Sequence, residues 1–414
     1  MTSSRAVSAA VLAVAVLCGP VARAADWPQW LGPKRDGGTS ETVEPWKGEL
    51  KPAWTAKVGG GFSSPVIANR RAFVHARVNG KDREEVIAFD AKSGKELWRT
   101  SYDRGPYSSI LNTGPQATPA VAGGKVFAFG ITGVLSCFDA ETGKQLWQVE
   151  ALKQFKQTVP RFGVCCSPAV VGNRVIVAVG GKGSAVVAFD TKTGEVAWQA
   201  LDESANTSSP LVVATKGQPA PDVVFMTTLR VVGLNPLDGT VNWEYALPFQ
   251  PSGTAPTPVL FGDTLFTSTM DNGTTGLKLK AGEKVTAEKM WQGKGLSGYF
   301  STGTATADRL YLVTNQLKPV PRADLVCVDR LTGKERWKKE GVGYFHFGSI
   351  RTANDKLIVL DDAGTLKLID AAAKEYRELC SAKVCDGTLV TPTFADGCVF
   401  ARDSEKLVCV RLAP

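Results

Sequence analysis

The sequence predicts an all-β protein, an eight-bladed β-propeller of four-stranded blades whose last blade is closed by the N-terminal strand. Three observations carry this. Hairpins of the form FDAETGKQLW, ending at Trp147, recur with tryptophans at 98, 147, 198, 243, 291 and 337, spaced 45 to 51 residues apart. Ser/Thr-Pro pairs recur upstream of the hairpins, at Ser64-Pro65, Thr118-Pro119, Ser167-Pro168, Ser209-Pro210, Thr257-Pro258 and Thr391-Pro392. Finally, outer-strand and inner-strand signals both number eight but are out of register by one, so an orphan first strand must complete the final blade.

Residues 1–24 have the pattern of a secretory signal: Arg5, an apolar run from Ala6 to Leu17, and Ala22-Arg23-Ala24 as the cleavage motif. The mature chain is expected to begin at Ala25 in a periplasmic or extracellular compartment. Residue Leu17 is too large for a lipoprotein cleavage site before Cys18, and no other stretch is long and apolar enough to cross a membrane as a helix. Residues 25–49, with the run WPQWLGPKRDGG, have no period and read as an extended arm over the ring. They are either an ordered tail that buries Trp27 and Trp30 or a substrate lid.

Residues 50–414 then read as a single propeller domain. The orphan strand, Leu50 to Val58, carries Trp54. Each following unit opens with the Ser/Thr-Pro pair, because proline at a strand start removes no ladder bond. Ser301-Thr302-Gly303 and Ser349-Ile350 stand at that point where proline is missing. A short apolar run such as Val186 to Phe189 is long enough for a strand and too short for a helix. Asp190 then caps a tight turn in which Gly194 takes the left-handed conformation, and the returning strand carries Trp198. The fifth unit is the most irregular, and the seventh has Lys374 to Glu378 where the glycine turn belongs. Two excursions, Gly105 to Gln116 and Ala151 to Val164, exceed a tight connection and are the first place to seek a binding surface. Gly217 to Pro221 reads as a protruding loop.

The formal net charge of +8 is interspersed. Arg336-Trp337-Lys338-Lys339 reads as a solvated strand end, so nothing points to nucleic acid. Of nine cysteines, eight follow the leader. Cys137, Cys327 and Cys409 occupy a position held by Ala88, Ala188 and Gly233 in other units, a site that wants something small. Cys398 with Cys409, and Cys380 with Cys385, are close enough in sequence to pair. Cys165-Cys166 are either free thiols at a strand start or a strained disulfide between neighbours. No C-x-x-C pair exists for zinc, and the only histidines, His75 and His346, lie far apart in sequence. A Ser-His-Asp triad would need one of them, and His75 reads as a structural strand residue. Asp361-Asp362 read as turn caps. No catalytic residue and no metal ligand is assigned.

The hairpins Asp139 to Trp147 and Asp190 to Trp198, at this spacing, resemble the pyrroloquinoline quinone (PQQ)-like repeat family over nearly the whole mature chain. The resemblance implies one of two functions. Quinoprotein dehydrogenases of the family oxidise alcohols or sugars with PQQ and calcium over the ring's centre, beside an adjacent-cysteine disulfide. Cys165 and Cys166 are the cofactor-binding candidates on that reading. The other branch resembles the lipoprotein subunit of the outer-membrane β-barrel assembly machine, which binds partner proteins. The short blades and WPQW arm look most like secreted members, so the expected function is a non-catalytic scaffold for an envelope or extracellular protein, with PQQ-dependent dehydrogenase as the alternative. Deleting residues 26–58 is expected to abolish the cooperative melt seen by circular dichroism. A truncated chain that melts like the full one refutes closure.

Overall fold

The computed structural model describes residues 26–109, 112–204, 207–216, 218, 220–317 and 319–412. The predicted leader therefore lies outside the described residues, as does part of the predicted loop at 217–221. The described strands form eight four-stranded antiparallel sheets in a ring. Blade one comprises Val66–Ala68, Arg71–Arg77, Arg83–Asp90 and Glu96–Asp103, from the axis outward. The next six repeat this order. The eighth contains Thr393–Ala395, Cys398–Arg402 and Lys406–Arg411, with Pro52–Lys57 as its outermost strand. Trp54 pairs with Cys409 across that seam, so the two ends of the chain share a sheet and no outer edge is left open there.

Burial follows from stacking sheets around an axis. The second and third strands are buried on both faces, as in Arg83–Asp90, because a neighbouring sheet covers each side. Outermost strands such as Val241–Ala246 bury chiefly their tryptophan. The apolar clusters accordingly lie between sheets. One joins Phe73 and Val86 of blade one to Val126 and Phe138 of blade two; another joins Ile176 of blade three to Phe225 of blade four.

The tryptophans make the joint. Trp54, Trp98, Trp147, Trp198 and Trp291 each donate the indole N–H to a backbone carbonyl of the next blade's turn, at 2.9–3.2 Å. In each case that carbonyl belongs to the residue after the turn's Asp or Asn. The glycine of the same turn lies against the indole: a Cβ on Gly194, which has φ +76°, would sit 2.8 Å from Trp147. Only glycine combines that conformation with that approach.

The two exceptions follow from the sequence irregularities. Blade five lacks the Asp-Gly turn, and Trp243 bonds Asp222 of its own blade instead, at 2.7 Å. In blade seven the equivalent carbonyl, of Ala371, is taken by Arg309 and Tyr311. The indole N–H of Trp337 has no partner, and its ring meets Tyr376 edge-on at 6.0 Å.

The small position is explained too. Ala88, Cys137, Ala188, Gly233, Gly276, Cys327 and Cys409 each pair directly with a tryptophan. In blade seven the register places Cys380 at the tryptophan position, one residue beyond the degenerate signal near Leu379, and its partner there is the larger Leu368. The volume lost on one strand is returned on its neighbour.

The arm contacts every blade. Trp27 pairs with Ile67, and Val121 donates to the Pro28 carbonyl. Arg35, 1% exposed, donates to the carbonyls of Ser167 and Pro168 in blade three and Pro210 in blade four. Trp30 bonds Thr257 of blade five, and the Asp36 carbonyl accepts from Thr304 of blade six. Thr39 donates to Arg351 of blade seven, while Glu41 accepts from Asp396 and Gly397 of blade eight. Burial lowers the Arg35 pKa to about 10, which leaves it charged at neutral pH and satisfied by carbonyl dipoles.

Cys137→Leu is expected to destabilise by about 1–3 kcal/mol by overpacking against Trp147. Cys137→Ala, the residue blades one and three already use, is expected to cost less. Urea midpoints of the two variants check this.

Candidate functional site

Around the axis, inner-strand hydroxyls tie neighbouring blades together. The backbone N–H of Ser64 donates to Thr118 Oγ1, Thr118 to Ser167 Oγ, Ser167 to Ser209 Oγ and Thr257 to Thr302 Oγ1, all at 2.9–3.0 Å. The Ser/Thr-Pro signal is therefore an inter-blade clasp. At these four joints the N–H ahead of the inner strand needs an acceptor, and the next blade's hydroxyl supplies it.

Above this ring of hydroxyls lies a central cavity of about 450 Å³. It opens on the face formed by the connections between blades. The arm crosses the opposite face, and Trp30 reaches up to line the cavity's floor. The arm is thus an ordered segment and a floor, and does not cover the mouth as a lid. Phe62, Phe162, Tyr299 and Phe300 supply aromatic walls, with Leu389 beside them. A second cavity, of about 390 Å³, adjoins it and shares Phe62 and Leu389.

Both predicted excursions reach this site. Gln116 and Phe162 line the cavity, and Gln116 Nε2 donates to the Phe162 carbonyl. The first excursion is anchored by a fully buried group between blades one and two. Tyr102 donates to Glu84 at 2.7 Å and meets His75 Nε2 at 2.7 Å. Arg104 lies 3.8 Å from Glu84 and also donates to the Thr113 carbonyl. Burial alone would raise the Glu84 pKa, but its hydrogen bonds with His75, Ile131 and Tyr102 outweigh it and hold the carboxyl below its usual range. His75 is structural, as the sequence suggests.

Cys165 and Cys166 point to opposite sides, as successive extended residues do. The thiol of Cys165 lines the cavity, 3.2 Å from Gln116 Oε1. Cys166 sits in the core between blades three and four and accepts from the Ala178 N–H. Both are free thiols, as are Cys380, Cys385, Cys398 and Cys409, so none of the possible bridges is present. Burial pushes the Cys165 thiol up to about 12 and Cys166 to about 11, which keeps both uncharged.

Nothing in the residue pattern places His346 at this site. It stands across the ring from Cys165, at the start of blade seven, and is 5% exposed. Its Nδ1 is 2.6 Å from Ser301 Oγ, it packs against Phe300 at 6.0 Å, and its Nε2 has no partner. Ser301 is itself 2% exposed and does not line the cavity, so the pair is not arranged as a nucleophile and base. Asp361 caps its turn by accepting from the Thr365 N–H. Asp362 instead reaches the neighbouring connection and accepts the backbone N–H groups of Tyr344, Phe345 and His346. It positions the histidine, a role that adjacency in sequence does not reveal. The predicted solvated cluster is paired: Arg336 with Asp308 and Asp329, and Lys338 with Asp324.

Among the described residues, no Asp, Glu, Lys or Arg lines the central cavity and no group of three or more potential metal ligands is found. A polycarboxylate such as PQQ, bound with a calcium ion, needs cationic and carboxylate partners. This lining does not fit it.

Burial lowers the His346 pKa to about 4. A folded-state value below the unfolded one means that the unfolded chain takes up the proton first as pH falls. The resulting stability, on the order of 3 kcal/mol, is present above pH ~6.5 and is lost progressively towards pH ~4. His346→Phe is expected to flatten the pH dependence of the melting temperature across that window, relative to the parent protein.

No curated protein sequence matches this chain. Among solved structures, a europium-containing methanol dehydrogenase superposes with TM-score 0.67 at 14% identity, covering 93% of this chain and 89% of that one. The quinohemoprotein alcohol dehydrogenase of Comamonas testosteroni gives 0.68 at 15%, covering 94% and 80%. BamB of Moraxella catarrhalis gives 0.60 at 15%, covering 87% and 99%. At such identities these likenesses establish the eight-bladed fold alone. The family profile described as outer membrane protein assembly factor BamB matches residues 47–117 and 82–339, well over half of the sequence, and the chain belongs to that family of PQQ-like repeat propellers.

Proposed function

We propose that this protein is an exported, non-catalytic binding scaffold whose mouth face holds a protein partner in the cell envelope. The observation that carries the reading is the distribution of exposed apolar side chains. Of twelve exposed large hydrophobic residues among those described, Val159, Phe249, Tyr344 and Phe345 lie on connections between blades, and Leu229 and Val320 on hairpin turns of the same mouth face. Phe249 is 64% exposed. Its segment is tied to the turn that carries Leu229, whose carbonyl accepts from Leu247, while the Thr228 carbonyl accepts from Gln250. Tyr344 and Phe345 pack edge-on at 4.7 Å. Aromatic residues held out of a rigid ring, with little side-chain entropy left to lose, are the usual anchors of protein contacts. Membership of the BamB family supports a protein partner. Export rests on the charged, apolar and small-residue pattern of residues 1–24, and no helix among the described residues is long and apolar enough to cross a membrane.

The dehydrogenase alternative is disfavoured by the uncharged lining of the central cavity. In a capture experiment from the envelope fraction, the parent protein is expected to retain a partner that the Phe249→Asp/Tyr344→Asp double variant loses, with the melt unchanged. Reconstitution with PQQ and calcium is expected to give neither stoichiometric binding nor dye reduction with alcohols or sugars. Stoichiometric quinone uptake overturns the reading.

A further inference from the structure

We propose that the central cavity is itself a small-molecule site, which takes an uncharged ring compound bearing a hydroxyl or carbonyl, resting on Trp30 and hydrogen-bonded to His346. This goes beyond the partner contact on the rim and rests on different residues.

The volume of about 450 Å³ falls within the roughly 300–1,000 Å³ of sites that bury a drug-sized ligand. The floor is an indole fixed by its own hydrogen bond to Thr257. The walls are aromatic, and charge is absent from the lining. An ion entering here would lose its hydration without gaining a counter-charge.

Polar capacity separates a ring compound from a sugar. The hydroxyls that line the cavity are largely committed: Ser167 and Ser209 accept from neighbouring blades, Thr257 accepts from Trp30, and Thr207 donates to the Thr254 carbonyl. Gln116 is held by the Phe162 carbonyl and the Cys165 thiol. A sugar would leave many of its hydroxyls unpaired. Nε2 of His346 is different. It is buried and unpartnered while Nδ1 is fixed by Ser301 and the backbone by Asp362. A buried polar nitrogen held this firmly without a partner is destabilising, and a single hydroxyl or carbonyl on a ligand would satisfy it. The imidazole stays neutral at physiological pH, consistent with an uncharged guest.

The test uses the intact protein with 2-naphthol, its anionic analogue 2-naphthoate, and glucose, each followed by calorimetry. Saturable one-to-one binding of 2-naphthol is expected, with 2-naphthoate weaker by about tenfold or more and no glucose binding. His346→Phe is expected to weaken 2-naphthol by about tenfold. Saturating 2-naphthol is expected to slow alkylation of Cys165 by N-ethylmaleimide, read by peptide mass spectrometry; this needs no variant and places the ligand in the cavity even if the histidine variant folds poorly. Absence of saturable 2-naphthol binding, equal affinity for the anion, glucose binding in its place, or unprotected Cys165 each overturns the proposal. The capture experiment on the rim involves none of these compounds, so either reading can fail alone.

Discussion

The structure depends on one contact: an indole of one sheet lying on the turn of the next. It fixes the distance between sheets, because the glycine brings backbone up to the ring. It fixes their relative height as well, because the indole N–H reaches a single carbonyl. Repeated around the ring, it turns a local hairpin into a curvature that closes. The seam between the last blade and the first uses the same contact, with Trp54 bonded to the Ala91 carbonyl. Arg402, fully buried, adds a bridge across that seam to the carbonyls of His75 and Gly59. A ring whose seam is made like its other joints has no weak edge at which to open or to pair with another chain.

Closure leaves an axis that the repeat cannot fill. Inner strands meet there with short hydroxyl side chains, which at four joints tie one blade to the next. The arm resolves one side. Its hydrogen bonds reach all eight blades, and its one deeply buried charge, on Arg35, is matched by carbonyl dipoles and needs no carboxylate. On the other side the connections carry aromatic residues inward to the cavity and outward to the rim. The same geometry that stabilises the ring therefore produces a dead-ended, uncharged chamber beneath an apolar collar. A polyanionic guest would find no counter-charge in that lining.

How much of this was legible in the residues varies with the range of the interaction. The hairpin turns, the Ser/Thr-Pro starts and the seam between Trp54 and the final blade were readable because each is a local pattern repeated at a fixed period. The irregular fifth and seventh units also announced themselves, and the structure shows their consequence in the altered partners of Trp243 and Trp337. The excursions at 105–116 and 151–164 reach the cavity, each through a single lining residue, Gln116 and Phe162. The cysteine pairs illustrate the limit. Adjacency left Cys165 and Cys166 open to two readings, free thiols or a strained disulfide, and the extended backbone sends their thiols to opposite sides.

Periodicity in the residues is enough to set the number of blades and their closure, and volume conserved between paired strands sets the small residue beneath each tryptophan. The site, by contrast, exists only in the folded ring. His346, Ser301 and Asp362 come from two blades, Trp30 from the arm and Cys165 from across the ring. No periodicity links them, because what brings them together is the closing of the circle, and a side chain's direction relative to an axis exists only once the axis does.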